Sequence, residues 1–179
     1  PHEKELFIVE GDSAGGPAKV VRLKHQEVLP IRGKVLNSLK AKLPVILKSE
    51  AVLEILAAIG YKASENSDNL NSLRINKLIF LADGDPDGKH INTLLLTIIY
   101  RFLPGLFKQG RVFIVKGSEF YAEEGQNRIY GNSVAEVKEK CSKSSTTVNH
   151  IKGWGEIDPI VLLDIAFDKS TRVLYKVLP

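Results

Sequence analysis

The sequence contains no methionine, even at position 1, and has one tryptophan and one cysteine. The single cysteine, Cys141, excludes a disulfide framework and indicates a protein of the reducing cytoplasm. The chain has no apolar run of membrane-spanning length and no signal-peptide pattern, so no membrane partner is predicted. The absence of methionine predicts that the chain is excised or redesigned from something longer.

The sequence also has little excess charge of either sign. Its 25 Lys and Arg residues stand against 21 Asp and Glu residues, which gives a formal net charge of +4. This small excess permits a polyanionic partner but does not identify one. With 179 residues and 44% hydrophobic content, the chain can bury the core of one domain and carry a small appendage.

The stretch KLIFLADGDPDGKHIN at 77–92 carries the strongest chemical signal. Its apolar run at 78–82 predicts a buried strand, which leads into three carboxylates at alternate positions before Gly88 turns the chain into a helix. Open α/β sheets bind ligands at the carboxyl ends of their strands. Neighbouring carboxylates repel one another unless a cation or protonation relieves the repulsion. We therefore predict a site for a hard divalent ion such as Mg²⁺, with candidate ligands Asp83, Asp85 and Asp87.

The acidic stretch has two other interpretations. The simpler one is a solvated acidic turn. The other is an EF-hand calcium loop, since the three aspartates and Gly88 match the first half of that motif. The second half does not match, because Leu94 occupies the place of the required bidentate Glu and Ile91 replaces another ligand. The incoming element is also predicted to be a strand, whereas an EF-hand begins with a helix.

A second strand-to-helix junction near the start of the chain has a similar arrangement, in which a buried strand ends in a carboxylate. The apolar run at 6–9 predicts a buried strand that ends at Glu10, followed by a small-residue turn at 11–16 and a helix at 17–22. The turn lacks the Gly-Lys-Ser/Thr ending of a phosphate-binding loop. If this strand and the strand at 78–82 are neighbours, Glu10 adds a fourth carboxylate to one metal cluster.

Two basic loops are candidates for phosphate contact. In PIRGKVLN at 30–37, Arg32 and Lys34 flank a glycine in an extended or turning stretch. In KGWGE at 152–156, Lys152 follows a predicted strand. Ordinary surface lysines are the alternative for the first of these loops.

The remaining pattern alternates strands with helices. Helices are predicted at 49–59, with Ser49 as the N-cap and Gly60 as the stop, at 91–103, at 133–140 and from Asp158 onward. Strands are predicted at 111–115, 146–151 and 172–177, with a hairpin around 120–130. This alternation predicts an α/β fold with a mostly parallel sheet and helices on both faces.

Four motifs together resemble one family. They are EGDSAGG at 10–16, PIRGKVLN at 30–37, the aspartate stretch at 83–88 followed by His90, and KGWGE at 152–156. Their order and spacing resemble the toprim domain of type IIA DNA topoisomerases. The resemblance implies a Rossmann-like toprim core, which we assign to 1–150, with a small C-terminal extension at 151–179 packed on it. Primases, RecR-like repair proteins and toprim nucleases share this fold.

The resemblance also implies roles for individual residues. Glu10, Asp83 and Asp85 correspond to the residues that hold Mg²⁺, for which Mn²⁺ can substitute, and Asp87 corresponds to a supporting carboxylate. With Lys34, the first three form the implied catalytic set, and Glu10 is also a candidate to return a proton during religation. The implied DNA-binding residues are Arg32, Lys34, Lys152, Asp12 and His90. For His90, a structural role beside the loop is an equal alternative.

The implied activity is half of a DNA cleavage and religation site. A tyrosine from an A-type subunit or a downstream breakage-reunion domain attacks double-stranded DNA, and ATP binds only in an N-terminal domain that this sequence lacks. We expect the isolated chain to be inactive. The sequence departs from the family pattern at Pro17, Pro86, Trp154 and Ile157 and over 117–120. These departures leave open a non-catalytic DNA- or protein-binding module, as well as a toprim nuclease, a primase-like enzyme or a small-molecule phosphoryl-transfer enzyme.

Overall fold

A computed structural model of the protein describes residues 3–31, 49–62, 70–81, 86–151, 153 and 156–179, with the backbone alone for 11–14 and 86–92. These ranges contain eight strands, which are β1 (Glu5–Glu10), β2 (Gln26–Ile31), β3 (Lys77–Leu81), β4 (Val112–Val115), β5 (Phe120–Glu124), β6 (Asn127–Gly131), β7 (Val148–His150) and β8 (Leu174–Lys176). A five-stranded sheet has the order β2-β1-β3-β4-β8, and a three-stranded sheet has the order β6-β5-β7.

The first four strands of the larger sheet are parallel, and β8 pairs with β4 in the antiparallel direction. Both faces of this sheet are covered. In β1, Leu6 and Ile8 pack into one buried cluster, whereas Phe7 and Val9 pack into another. The β3 residues divide between the same two clusters. Alternate side chains of a strand point to opposite faces, so the near-continuous apolar runs follow from burial on both sides. The predicted α/β fold with a mostly parallel sheet is confirmed.

Six helices accompany the strands within the described ranges: α1 (Gly11–Val21), α2 (Glu50–Ile59), α3 (Pro86–Phe102), α4 (Pro104–Lys108), α5 (Val134–Lys140) and α6 (Pro159–Leu162). A short 3₁₀ turn spans Leu70–Ser72, and a π turn, Leu163–Phe167, continues α6. None of the helices in these ranges has the length and apolarity needed to cross a bilayer.

Helix α2 matches its prediction. The backbone N–H of Val52 donates to the Ser49 hydroxyl at 3.3 Å, and Gly60 ends the helix with a φ of 90°. A left-handed residue at this position favours glycine because it carries no Cβ. One face of the helix, including Ile55 and Ile59, is fully buried.

Helix α1 begins earlier than the sequence predicts. The residues at 11–16 form its first turns and not a separate loop, so Pro17 lies inside the helix and not in its first turn. An internal proline removes one backbone hydrogen bond. Packing compensates for this loss, because Ala18 is fully buried and Gly15 lies against Pro30 of β2.

One further boundary prediction is wrong: helix α3 starts at Pro86, which suits a first helical position, and not after Gly88. The predicted end is confirmed, because α3 stops at Phe102 and the separate short helix α4 begins at Pro104. Strand β2, which the sequence analysis does not predict, extends through Pro30. A proline is tolerated in β2 because this strand lies at the edge of the sheet.

The second sheet follows directly after the parallel core. Its predicted hairpin is confirmed, with Gly125 at a φ of 63° in the turn between β5 and β6. Strand β7 then pairs with β5, and the chain returns through α6 to β8 in the larger sheet. The boundary between 1–150 and 151–179 stays a prediction.

Candidate functional site

Three parallel strands end side by side at one edge of the larger sheet. Strand β1 lies between β2 and β3, with Glu10 paired with Ile31 on one side and Val9 paired with Leu81 on the other. Neighbouring strands are about 4.8 Å apart. Glu10 therefore lies at the edge from which the chain continues toward Arg32 on one side and Asp83 on the other. Glu10 and the aspartate stretch therefore follow adjacent strands, β1 and β3, as the prediction of one shared metal cluster requires.

The environment of Glu10 suits a ligand carboxylate. The residue is half-buried in an extended conformation, immediately before the first residue of α1. A carboxylate oxygen is the kind of hard ligand that Mg²⁺ prefers. The chemistry of Glu10 and of the aspartates at 83, 85 and 87 therefore fits an oxygen-ligated divalent ion.

Two helices follow the strands that end at this edge. Helix α1 starts directly after β1, and α3 starts five residues beyond the last residue of β3. The first N–H groups of a helix carry partial positive charge and attract anions. A helix start directly after Glu10 can therefore offset carboxylate charge.

The second sheet returns the chain toward this edge. Ile151, the residue after β7, is 9% exposed and belongs to the same buried cluster as Val9, Leu81 and Val115, which lie at or near the ends of their strands. Its backbone N–H donates to the Glu119 carbonyl at 2.7 Å. Ile151 is therefore fixed against the larger sheet one residue before the predicted basic loop at 152–156.

The predicted site residues differ in how far the structure describes them. Glu10 is described with its side chain. Asp12 lies in the first turn of α1, and Asp87 and His90 lie in the first turns of α3, each with its backbone alone. The other predicted residues lie outside the described ranges: Arg32, Lys34, Asp83, Asp85 and Lys152. Among the residues that are described, no group of three or more His, Cys, Asp or Glu side chains is placed to hold a metal.

The sequence reasoning missed one polar cluster that supports this region. Asp164, in the π turn, is 7% exposed and accepts hydrogen bonds from the Arg128 guanidinium and, at 2.6 Å, from the Tyr130 hydroxyl. These bonds fasten β6 of the second sheet to the segment that packs under the larger sheet. The signal in the sequence is a lone carboxylate inside the apolar run IVLLDIAF at 160–167. Such a residue is rarely buried without partners.

Comparison with known proteins supports the same interpretation. The family description "Toprim domain" matches residues 5–116. The B subunit of DNA gyrase from Thermotoga maritima is 41% identical over 177 residues, and that from Archaeoglobus fulgidus is 36% identical over 179 residues. The chloroplastic/mitochondrial B subunit of DNA gyrase from Oryza sativa subsp. japonica is 36% identical over 179 residues.

The alignments cover 97%, 99% and 97% of this chain, in the same order, but only 28%, 28% and 25% of the relatives. The chain therefore spans about a quarter of the length of these curated relatives. The resemblance drawn from the four motifs is confirmed. Because the matched region covers more than half of the sequence, the chain belongs to the toprim domain family.

Proposed function

We propose that this chain is the Mg²⁺-binding toprim part of a type IIA DNA topoisomerase and supplies half of the DNA cleavage and religation site. The observation that carries the proposal is the adjacency of β1 and β3, whose pairing of Val9 with Leu81 brings Glu10 beside the strand that leads to the aspartates. Membership of the toprim family and the similarity to the B subunit of DNA gyrase support this assignment.

Each group of residues has a distinct task in this proposal. Glu10, Asp83 and Asp85 would hold Mg²⁺, and Asp87 would support them. A bound Mg²⁺ supplies stabilisation of negative charge on the scissile phosphate and on the 3′ oxygen that leaves. Glu10 would also donate a proton to that oxygen as it leaves in cleavage, and would take the proton back when the 3′ hydroxyl attacks phosphorus in religation. A metal ligand that also handles protons must lie close to the reacting oxygen, which suits the end of β1.

The basic and polar residues around the edge would hold DNA. Lys34 and Lys152 would contact backbone phosphates near the cleaved bond, with help from Arg32. Contacts of this kind fix the register of a duplex without reading its sequence. Asp12 and His90, each in the first turns of a helix at this edge, would complete the DNA-binding surface.

The rest of the reaction would come from outside this chain. We infer that the nucleophilic tyrosine belongs to an A-type subunit or to a downstream breakage-reunion domain, and that ATP acts through a separate N-terminal domain. Double-stranded DNA would be the substrate of the complete enzyme. With one cysteine in the sequence, we also infer a cytoplasmic protein.

A metal-binding measurement on matched variants tests the proposal. Mn²⁺ shares the oxygen preference of Mg²⁺, and both electron paramagnetic resonance and anomalous scattering from crystals detect it. We expect Glu10→Gln to weaken Mn²⁺ binding by at least about tenfold, in line with the loss of a metal ligand. The exposed Glu123→Gln has the same change of charge and is expected to leave binding unchanged.

Three outcomes would contradict the proposal. Anomalous density held by the aspartates alone, with Glu10 remote, would restore the calcium-loop interpretation. Metal-dependent nicking of supercoiled DNA by the purified chain, lost with Glu10→Gln, would indicate a toprim nuclease. No binding of Mn²⁺ or of DNA at millimolar metal would indicate a non-catalytic protein-binding module. The proposal would be supported if adding an A-type subunit to the full-length protein gave metal-dependent DNA cleavage, and if Glu10→Gln in the full-length protein abolished that cleavage.

A further inference from the structure

A groove lies at the edge of the larger sheet where the parallel strands begin, opposite the edge that carries Glu10. Its volume is about 880 Å³. Residues just before β1, β2, β3 and β4 contribute to its walls, so the sheet separates it from the carboxyl edge that carries Glu10. This volume is within the range of about 300–1,000 Å³ that is usual for ligand sites.

The walls of the groove are strongly positive. Four cationic side chains line it, and Glu3 is the carboxylate among its lining residues; the cations are Lys4, Lys24, Arg74 and Arg111. Glu3 is itself paired with Lys169, which lies outside the groove. The lining residues therefore carry an excess of three positive charges, in a chain whose formal net charge is +4.

Two of the four cations are already neutralised in part. Lys4 Nζ lies 2.7 Å from Glu27 Oε1, and Arg74 Nη2 lies 3.1 Å from the same oxygen. One carboxylate thus serves both side chains. The exposed Lys24 and the half-buried Arg111 have no carboxylate partner within the described ranges.

Arg111 is held in one orientation without a counter-charge. Its Nε donates to the Asn76 carbonyl at 2.7 Å, and its Nη2 donates to the Ile75 carbonyl at 2.6 Å. Burial lowers the pKa of this guanidinium, which indicates a desolvated charge. Backbone carbonyls orient a guanidinium but do not cancel its charge. An anion in the groove would meet a cation that is already positioned, which reduces the entropy lost on binding.

The groove also has apolar surface. Leu73 is partly exposed at its wall, beside the buried Leu70 and Ile75. His25, another lining residue, turns its buried Nε2 atom toward the Glu5 carboxylate, 3.7 Å away. The lining therefore combines cations with an apolar contact.

We propose that this groove binds an acidic peptide segment that carries an apolar side chain between its carboxylates. Lys24 and Arg111 would each pair with a carboxylate, and Leu73 would contact the apolar side chain. Recognition of acidic motifs by clustered cations is a recurrent mode of peptide binding. Because the groove is at the edge away from Glu10, such a partner can bind while the carboxyl edge is occupied.

The number of free cations favours a peptide over a nucleic acid. A duplex-binding surface makes roughly 6–10 phosphate contacts. Within the described ranges, this groove offers Lys24 and Arg111 as cations without carboxylate partners. Two such charges match the few carboxylates of a short acidic motif. The partly exposed Leu73 can contact an apolar side chain of a peptide, whereas a phosphodiester backbone has no apolar group to place there.

Fluorescence anisotropy tests this proposal with a defined probe. The probe is a fluorescein-labelled peptide in which Glu alternates with Leu, and a peptide in which Lys alternates with Leu is the negative control. We expect the acidic peptide to bind and Lys24→Glu to weaken its binding about tenfold or more, since like charge then replaces attraction. Lys138→Glu, at an exposed site on α5, changes the net charge equally and is expected to leave binding unchanged.

Other outcomes would overturn the proposal. Equal weakening by Lys24→Glu and Lys138→Glu would indicate general electrostatic attraction. Displacement of the peptide by a short DNA duplex, with the same dependence on Lys24, would make this a nucleic-acid site. No binding of the acidic peptide at millimolar concentration would exclude the site. Backbone amide chemical shifts should change around 70–76 on titration, and shifts confined to other regions would also contradict it. None of these readouts depends on metal binding at Glu10.

Discussion

Arg172 and Glu5 form a buried, two-point ion pair that joins the two ends of the described chain. Arg172 Nη1 donates to Glu5 Oε1 at 2.8 Å, and Nη2 donates to Oε2 at 2.6 Å. The Glu5 side chain is fully buried and that of Arg172 is 4% exposed. Gln26 Nε2 donates to Glu5 Oε1 and to the Phe167 carbonyl, both at 2.9 Å. The cluster therefore connects the starts of β1 and β2 with the C-terminal segment.

Removing Arg172 should be strongly destabilising. In Arg172→Met, the Glu5 carboxylate keeps its burial but loses both guanidinium bonds, which costs about 3–5 kcal/mol for a buried pair. Urea unfolding followed by circular dichroism measures this change in the free energy of unfolding. Lys169→Met, which removes an exposed partner of Glu3, is the control and should change stability little.

The double variant Glu5→Leu/Arg172→Met separates lost attraction from an unpaired buried charge. We expect it to be more stable than Arg172→Met alone, because no charge then stays buried without a partner. A double variant as unstable as the single one would show that shape complementarity, and not charge, holds the cluster together.

The same pair should give the protein an acid-dependent stability. Burial by itself raises the pKa of Glu5, but hydrogen bonds from Arg172 and Gln26 outweigh it and hold the pKa below its ordinary value of 4.5. A lowered pKa in the folded state stabilises the protein fully above the unfolded value. That contribution is lost as the pH falls below 4.5 through the lower folded value.

Unfolding free energies between neutral and acid pH test this dependence. Wild-type stability should decline below about pH 4.5, and Arg172→Met should lack the part of the decline that comes from Glu5. In that variant burial dominates, so the pKa of Glu5 should instead rise. Carboxyl carbon chemical shifts of Glu5 measure its titration directly, and a Glu5 that titrates at or above its ordinary value in the wild type would refute the expectation.

The sequence predicted the elements whose local chemistry decides their structure. The apolar runs in β1 and β3, the Ser49 cap of α2 and the left-handed Gly125 in the hairpin were all evident without tertiary information. Strand β2 was missed because Pro30 argues against a strand unless one knows that the strand lies at a sheet edge. Strand order is a tertiary property, and no residue in β2 indicates by itself that the strand pairs with β1.

The same distinction applies to the candidate site. The residue types at the strand ends indicated a metal from composition and spacing alone. That Glu10 and Leu81 end at one edge depends on β1 lying between β2 and β3, which follows from packing across the whole sheet. The glycine-rich segment after Glu10 was mistaken for a turn because small residues usually punctuate structure. At position 15 a glycine is needed for another reason, because helix α1 lies so close to Pro30 that a larger side chain would clash with it.

Tyr130 should resist ionisation in the folded protein. Burial raises the pKa of this phenol above its ordinary value of 10.0, and the hydrogen bond to the Asp164 carboxylate raises it further. Ultraviolet titration should therefore find a fraction of the tyrosine absorbance that belongs to Tyr130 still protonated well above pH 10. In Tyr130→Phe that resistant fraction should be absent, whereas Tyr175→Phe removes an exposed tyrosine and should leave the fraction in place.

The Tyr130 bond should also contribute to stability. A hydrogen bond to a charged acceptor contributes about 1.5–3 kcal/mol, so Tyr130→Phe should lower the unfolding free energy by roughly that amount near neutral pH. The contribution is complete below pH 10 and declines as the pH rises toward the higher folded value. The difference between wild type and Tyr130→Phe should therefore shrink in strong alkali. A difference that stays constant with pH would mean that packing alone explains the effect.

Two adjacent glycines in α1 should respond differently to the same substitution. At Gly15, an added Cβ would lie 2.9 Å from Pro30 Cβ and 3.1 Å from its Cγ, so either α1 or β2 must move. At the exposed Gly16, an added Cβ meets nothing within 4 Å apart from its chain neighbours. Gly15→Ala should destabilise the protein by about 1–3 kcal/mol through overpacking. Gly16→Ala should change stability less, because the gain from restricting the unfolded chain is offset by the cost of a Cβ just before Pro17.

The glycine pair also connects packing to the candidate site. Helix α1 begins immediately after Glu10, and Gly15 determines how closely that helix approaches β2. A shift of α1 should move the carboxylate at its start, so Gly15→Ala should weaken Mn²⁺ binding while Gly16→Ala should not. Thermal unfolding and Mn²⁺ titration of the two variants measure both effects. If Gly15→Ala loses stability but binds Mn²⁺ like the wild type, the position of Glu10 is set by β1 alone and not by the helix that follows it.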